Sequence, residues 1–91
     1  RRVPSREIQV INKLGLHARA ASKFVTLAST FSSEIRLRKD NREANGKSIM
    51  SIMMLAASRG TRLILTAEGP DADAALDALE SLVNNRFGEA E

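Results

Sequence analysis

Apolar and polar residues alternate along Glu7-Ile8-Gln9-Val10-Ile11-Asn12, with Ile8 and Val10 on one side, the spacing of a half-buried strand. Gly15 supplies a turn, and the period then changes. Ala21, Phe24, Val25 and Ala28 fall on one stripe while Ser22, Lys23, Thr26 and Ser29 fall largely opposite, which predicts an amphipathic helix from Ala18 to about Thr30. Strict alternation returns in Glu34-Ile35-Arg36-Leu37-Arg38 and meets Lys39-Asp40-Asn41-Arg42, whose Asp-Asn pair suits a tight hairpin leading into a short return strand over Arg42 to Ala44. Asn45-Gly46-Lys47 breaks that strand. Ser48 is placed to cap a short helix running to about Ala57, with Arg59 and Gly60 as its stop. Arg62-Leu63-Ile64-Leu65-Thr66-Ala67 predicts a last strand with Leu63, Leu65 and Ala67 facing inward. Gly69-Pro70-Asp71 then opens a last helix with the stripe Ala72, Ala75, Leu76, Leu79, Leu82 and Val83.

The order strand, helix, strand, strand, helix, strand, helix predicts an α+β fold in which helices cover one face of a sheet. The 91 residues, 43% of them hydrophobic and 27% charged, suffice for one small domain with a modest core and leave no room for a second. Residues 6–88 are expected to form that domain, with 1–5 an N-terminal extension or trimmed remnant and 89–91 a C-terminal tail. Phe24, Phe31 and Phe87 are the only aromatic residues, so Leu, Ile, Val, Ala and Met must build most of the core.

The second helix breaks this economy. Ile49, Met50, Ile52, Met53, Met54 and Leu55 put apolar side chains on more than one face, and a short surface helix cannot bury them all. Either the excess forms a face for partners, where flexible Met side chains adapt to different surfaces, or the helix lies deep and its methionines fill gaps in the core. Periodicity alone leaves both readings open.

Charge and composition narrow the function. Fourteen Lys and Arg against eleven Asp and Glu give a net charge of only +3, and the scarcity of aromatic residues denies a nucleic-acid-binding domain its stacking platform. There is no cysteine, which removes disulfides and thiolate metal sites and suits a reducing compartment. No apolar run is long enough to span a bilayer. The single histidine, His17, stands in Gly15-Leu16-His17-Ala18-Arg19 at the mouth of the first helix. There the first-turn N–H groups, the helix dipole and a guanidinium two residues on all favour added negative charge, so the imidazole is a candidate phosphoryl acceptor. Its plainer reading is an ordinary polar cap. With no second histidine or cysteine, a transition-metal site has no ligands to complete it, and no cofactor is called for.

Gly15-Leu16-His17-Ala18-Arg19, the following Ala20-Ala21-Ser22-Lys23-Phe24-Val25, and Gly46-Lys47-Ser48-Ile49-Met50-Ser51-Ile52-Met53 together resemble the HPr family of histidine-containing phosphocarriers of the phosphoenolpyruvate-dependent phosphotransferase system. The resemblance runs from about Arg6 to Phe87 with the same order of elements. One departure is Ala20, where the commoner motif has proline after the arginine. Alanine is an excellent helix former, so the site should survive the change.

The resemblance implies an open-faced β-sandwich of order βαββαβα, a four-stranded antiparallel sheet with three helices on one face. It implies a cytoplasmic monomer that acts as a carrier with a phosphohistidine intermediate, not as a stand-alone enzyme. His17 would take a phosphoryl group on Nδ1 from phosphorylated enzyme I and pass it to IIA proteins. The backbone amides of Ala18 and Arg19 would bind the phosphate and the Arg19 side chain would neutralise its charge. Ser48 matches a serine that HPr kinase/phosphorylase modifies in some members. A phosphate there would place about −1.5 to −2 charges beside Ile49, Met50 and Met53, the expected partner-binding face. The simpler role for Ser48 is the helix cap. The sugar-transport branch and the nitrogen-regulatory NPr branch share the histidine, and the sequence leaves the branch open. A regulatory binding module that never turns over phosphate is the main competitor, and the pairing of His17 with Arg19 argues against it.

Overall fold

The computed structural model describes residues 3–91, so Arg1 and Arg2 of the expected extension lie outside the described residues. Strands β1 (Ser5–Gln9), β2 (Glu34–Lys39), β3 (Arg42–Asn45) and β4 (Arg62–Glu68) form one sheet in the order β1-β4-β2-β3, every neighbouring pair antiparallel. Helices α1 (Ala18–Ala28), α2 (Ile49–Met53) and α3 (Ala72–Asn84) interleave with them in the order βαββαβα, and a short 3₁₀ turn, Arg86–Gly88, follows.

Alternation in the strands becomes burial in the sheet. Ile8, Ile35, Leu37, Ala44, Leu63, Leu65 and Ala67 face the helices and are buried. The α1 side of the core is Ala20, Ala21, Phe24 and Ala28, with Val25 only partly covered, so the stripe is rotated toward Ala20 relative to the expected one. From α3, Ala72, Ala75, Leu76, Leu79 and Val83 are buried and Leu82 is partly buried. Each large apolar side chain fully withdrawn from water contributes about 1.5–3 kcal/mol before entropy is counted.

The boundaries differ where polar residues carry backbone work. Strand β1 starts at Ser5, paired with Thr66, inside the segment expected to precede the domain. It ends before Asn12, which turns away to bond the loop instead. Helix α1 stops at Ala28, two residues short of expectation, as the amides of Thr30 and Phe31 turn back to Leu27 and Ala28 in tighter bonds. Helix α2 ends at Met53 rather than near Ala57. Leu55 must turn into the core, and Ala56 adopts a left-handed φ of 52°. The carbonyls this frees are taken by cations of the β2–β3 hairpin: Lys39 Nζ donates to Leu55 O at 3.0 Å and Arg42 Nη1 to Met54 O at 3.4 Å.

Asp71, just before α3, does not cap its own helix. Its carboxylate accepts from Ser33 Oγ, from Ser33 N at 2.9 Å and from Ser32 N at 2.8 Å, tying α3 to the entry of β2. Those bonds, that from the Ser33 hydroxyl first, hold its pKa at about 2 against an ordinary 3.8. Because the folded value is the lower one, this tie stabilises the fold above pH 3.8 and fades as the pH falls toward about 2.

Candidate functional site

The loop between β1 and α1 is built so that His17 arrives at a helix mouth. Gly15 has φ +69°, and a Cβ there would lie 2.6 Å from Ala57 O and 2.9 Å from Ser58 Cα, so only glycine lets the loop pass the segment after α2. Leu16 N donates to Ala57 O at 2.9 Å on that same approach, and Asn12 Nδ2 donates to Gly15 O at 2.8 Å from below. The turn is pinned on both sides.

His17 is the residue that precedes α1, with an extended backbone (φ −71°, ψ 175°) and no side-chain bond to the helix amides. The first intrahelical bond runs from Ala21 N to His17 O at 2.9 Å. The amides of Ala18, Arg19 and Ala20 therefore have no helical acceptor, and the first turn contains no acidic residue to oppose an incoming anion. Arg19 is exposed and, among the described residues, forms no ion pair, so its charge is free for a ligand. His17 and Arg19 line one cleft of about 650 Å³ together with Lys13, Leu14, Glu89 and Glu91.

Glu89, in the expected C-terminal tail, also lines this cleft. Its Oε2 lies 2.5 Å from His17 Nε2 and its Oε1 accepts from Asn12 Nδ2 at 3.0 Å. Burial works to raise the Glu89 pKa, but the hydrogen bonds from Asn12 and His17 and the nearby charge of Lys23 outweigh it and hold the carboxyl below its ordinary 4.5. Neither Glu89 nor Asn12 is singled out by a sequence motif. Glu89 is 72 residues from His17, and the available signal was Phe87, an apolar residue isolated in a polar end.

Ser48 belongs to a different helix mouth and does not line this cleft. It precedes α2 with an extended backbone, and its hydroxyl accepts from Ser51 N at 3.2 Å, so it caps the helix. The apolar excess of the second helix divides between the two readings. Ile52 and Leu55 are buried, whereas Met50 is 72% and Met54 73% exposed, with Ile49 and Met53 about two-fifths exposed (39% and 40%). Ile49, Met50 and Met53 thus face solvent as a partner surface requires, and Met54 joins them. Among the described residues no group of three or more His, Cys, Asp or Glu could hold a metal ion, and no helix is long and apolar enough to cross a membrane.

Residues 4–85 match the family model of the PTS HPr component phosphorylation site. The chain is 52% identical over 90 residues, 98% of its own length and all of the other's, to the phosphocarrier protein HPr of Pseudomonas aeruginosa. It is 45% identical over 85 residues, 93% of each chain, to the phosphocarrier protein NPr of Shewanella violacea. The crystal structure of HPr-C-His from Thermoanaerobacter tengcongensis superposes with a TM-score of 0.93 at 48% identity, covering 97% of this chain and 99% of that one.

Proposed function

The chain belongs to the HPr family of phosphotransferase-system phosphocarriers, and we propose on that premise that His17 takes a phosphoryl group from phosphorylated enzyme I and hands it to a IIA protein. The observation that carries this reading is His17 at the open mouth of α1, in one cleft with Arg19, which forms no ion pair among the described residues.

The step asks for a neutral imidazole nitrogen with a free lone pair. With Nε2 against the Glu89 carboxylate, Nδ1 is the nitrogen left to attack. Its lone pair forms the N–P bond while the bond from phosphorus to the donor breaks and its electron pair leaves with the donor. Three equatorial oxygens then carry the charge of the transferring group. The amides of Ala18 and Arg19 donate to them, and the Arg19 guanidinium offsets their charge. The same geometry run in reverse delivers the group to the next protein. Since His17 is only partly covered, at 28% side-chain exposure, a second protein can reach the phosphate as readily as the first.

Docking is assigned to the solvent-facing side of α2, with Ile49, Met50 and Met53 in contact with enzyme I and IIA. Phosphorylation of Ser48 by HPr kinase/phosphorylase would set a strong charge at the edge of that face and oppose docking. Ser48 is only partly covered, which supports this second role.

Incubation of the protein with enzyme I and phosphoenolpyruvate should yield one acid-labile, base-stable phosphate on His17, lost on addition of a competent IIA. A sugar-uptake IIA and a nitrogen-regulatory IIA offered side by side assign the branch by their relative rates. Absence of label with active enzyme I would overturn the proposal in favour of a binding module.

A further inference from the structure

The segment that brings Glu89 to His17 is held in a conformation the chain would not adopt unaided. Arg86 and Phe87 both have left-handed backbones, with φ of 56° and 54°, and neither is glycine. Such strain persists only where surrounding contacts impose it. Here they do. Phe87 is 1% exposed within the core, Lys23 Nζ donates to Phe87 O at 2.7 Å, and Arg86 Nη1 donates to Ala90 O at 3.2 Å. Lys13 N donates to Glu91 O at 2.8 Å on the far side. The turn therefore delivers a defined side chain to a defined place. Glu89 receives a second donor from Asn12, which is itself fully buried and shares its amide between Glu89 Oε1 and Gly15 O. Glu89 also lies beyond residues 4–85, the part of the chain matched by the family model.

We propose that Glu89 is a positioning residue for phosphoryl transfer: its carboxylate accepts the Nε2–H of His17, fixing the ring so that Nδ1 carries the lone pair and faces the incoming phosphorus. An ionised carboxylate can only accept, so the hydrogen in this bond must be on the ring. A neutral imidazole has one N–H, and placing it on Nε2 leaves Nδ1 bare. When Nδ1 forms the N–P bond, the proton stays on Nε2 and the ring becomes cationic. Glu89 then faces that positive charge as it develops, so the bond strengthens along the reaction path. A carboxylate that orients a histidine through its other nitrogen plays this part in hydrolytic triads and behind metal-bound histidines.

The inference rests on His17 being the phosphoryl acceptor, and its test separates the two. In mildly alkaline solution, proton–nitrogen NMR of the unphosphorylated protein should show a His17 Nε2–H resonance shifted far downfield and protected from exchange. Glu89→Ala should abolish this signal and slow phosphorylation by enzyme I roughly 10- to 100-fold, the range associated with losing a carboxylate behind a functional histidine. Glu89→Asp should recover part of both. Should Glu89→Ala unfold the strained turn, Glu89→Met, which keeps the length but offers the ring no oxygen acceptor, carries the same measurements with thermal unfolding as control. An Nε2–H signal that survives removal of the carboxylate, or a signal that is lost with no change in rate, overturns the assignment. A wild-type protein that enzyme I does not label, with the downfield resonance intact, would refute the carrier function and leave the hydrogen bond standing.

Discussion

The mouths of α1 and α2 each carry, at the residue just before the helix, a side chain proposed to take a phosphoryl group: His17 in one and Ser48 in the other. Both have extended backbones there, yet the two ends use the position differently. Ser48 turns its hydroxyl onto Ser51 N and satisfies its own helix. His17 makes no such bond; its ring is held from outside by Glu89, and the first amides of α1 are left for something else. The helices differ as well, since α1 has 11 residues with a strongly apolar face against the core and α2 has 5, closed at its far end by Lys39 and Arg42. A helix anchored by its own packing can leave its N-terminus open to a ligand. A five-residue helix has little else to rely on, so its cap is structural before it is anything more.

The strongest way to break this contrast is to remove the side chain at the open mouth. His17→Ala should stay folded, because the side chain caps nothing and is not part of the buried core, so that only its bond to Glu89 is lost, while phosphorylation by enzyme I falls to background. Ser48 cannot take over, since its hydroxyl lies outside the cleft. Any residual labelling of the folded variant, located by mass spectrometry, would show that the two mouths are not distinct in function.

Next in size is the charge that completes the open mouth. Arg19→Glu should slow transfer on the order of 100-fold and Arg19→Lys about tenfold, since the first reverses the charge offered to the phosphate and the second loses only the planar fork. Steady-state transfer rates with enzyme I in excess of its docking requirement would read this directly, and equal rates for all three proteins would remove Arg19 from the site.

Docking should respond less than chemistry. Met50→Glu or Met53→Glu places a charge on the solvent side of α2, where it disturbs no core packing but must be desolvated in a complex. Binding to enzyme I and IIA should weaken about tenfold or more by calorimetry, and labelling of His17 should recover at high enzyme I concentration. Loss of thermal stability instead of affinity would return these methionines to the core.

How much of this contrast could be read from the sequence follows from the range of the interactions. Ile35, Leu37, Leu63, Leu65 and Ala67 declare their strands because a period of two is a local signal, and Leu76 and Leu79 declare theirs by a helical one. The places of His17, Arg19 and Ser48 at helix mouths are legible because such mouths are marked locally too. The end of α2 comes earlier than its apolar run predicts because Lys39 and Arg42, which close it, come from the β2–β3 hairpin. Asp71, in the segment that opens the last helix, serves as a tie to Ser32 and Ser33, 38 residues or more away, which no local pattern marks. Glu89 and Asn12 carry no sequence signal for the same reason, since their partners lie 72 and 77 residues away. A polar residue next to a domain end has no period, and only the buried Phe87 and the left-handed turn reveal that the end is fastened.

The smallest effect is expected at the closed mouth, where structure and regulation can be separated with two substitutions of one residue. Ser48→Ala removes the acceptor for Ser51 N and should cost about 1 kcal/mol, the usual loss for an N-cap. In a domain of this size that lowers the midpoint of thermal unfolding by about 4–8 °C. Transfer from enzyme I should be unchanged, because the partner face and His17 are untouched. Ser48→Asp should do the reverse. Aspartate is as good an acceptor at this position and is favoured by the helix dipole, so stability should hold. Its charge stands beside Ile49 and Met50, however, and should slow transfer a few-fold, less than a phosphate of about −1.5 to −2 would. Opposite outcomes from the two variants would establish that the cap and the docking edge are separate properties of Ser48. Equal transfer rates for wild type, Ser48→Asp and stoichiometrically phosphorylated protein would reduce the residue to its cap.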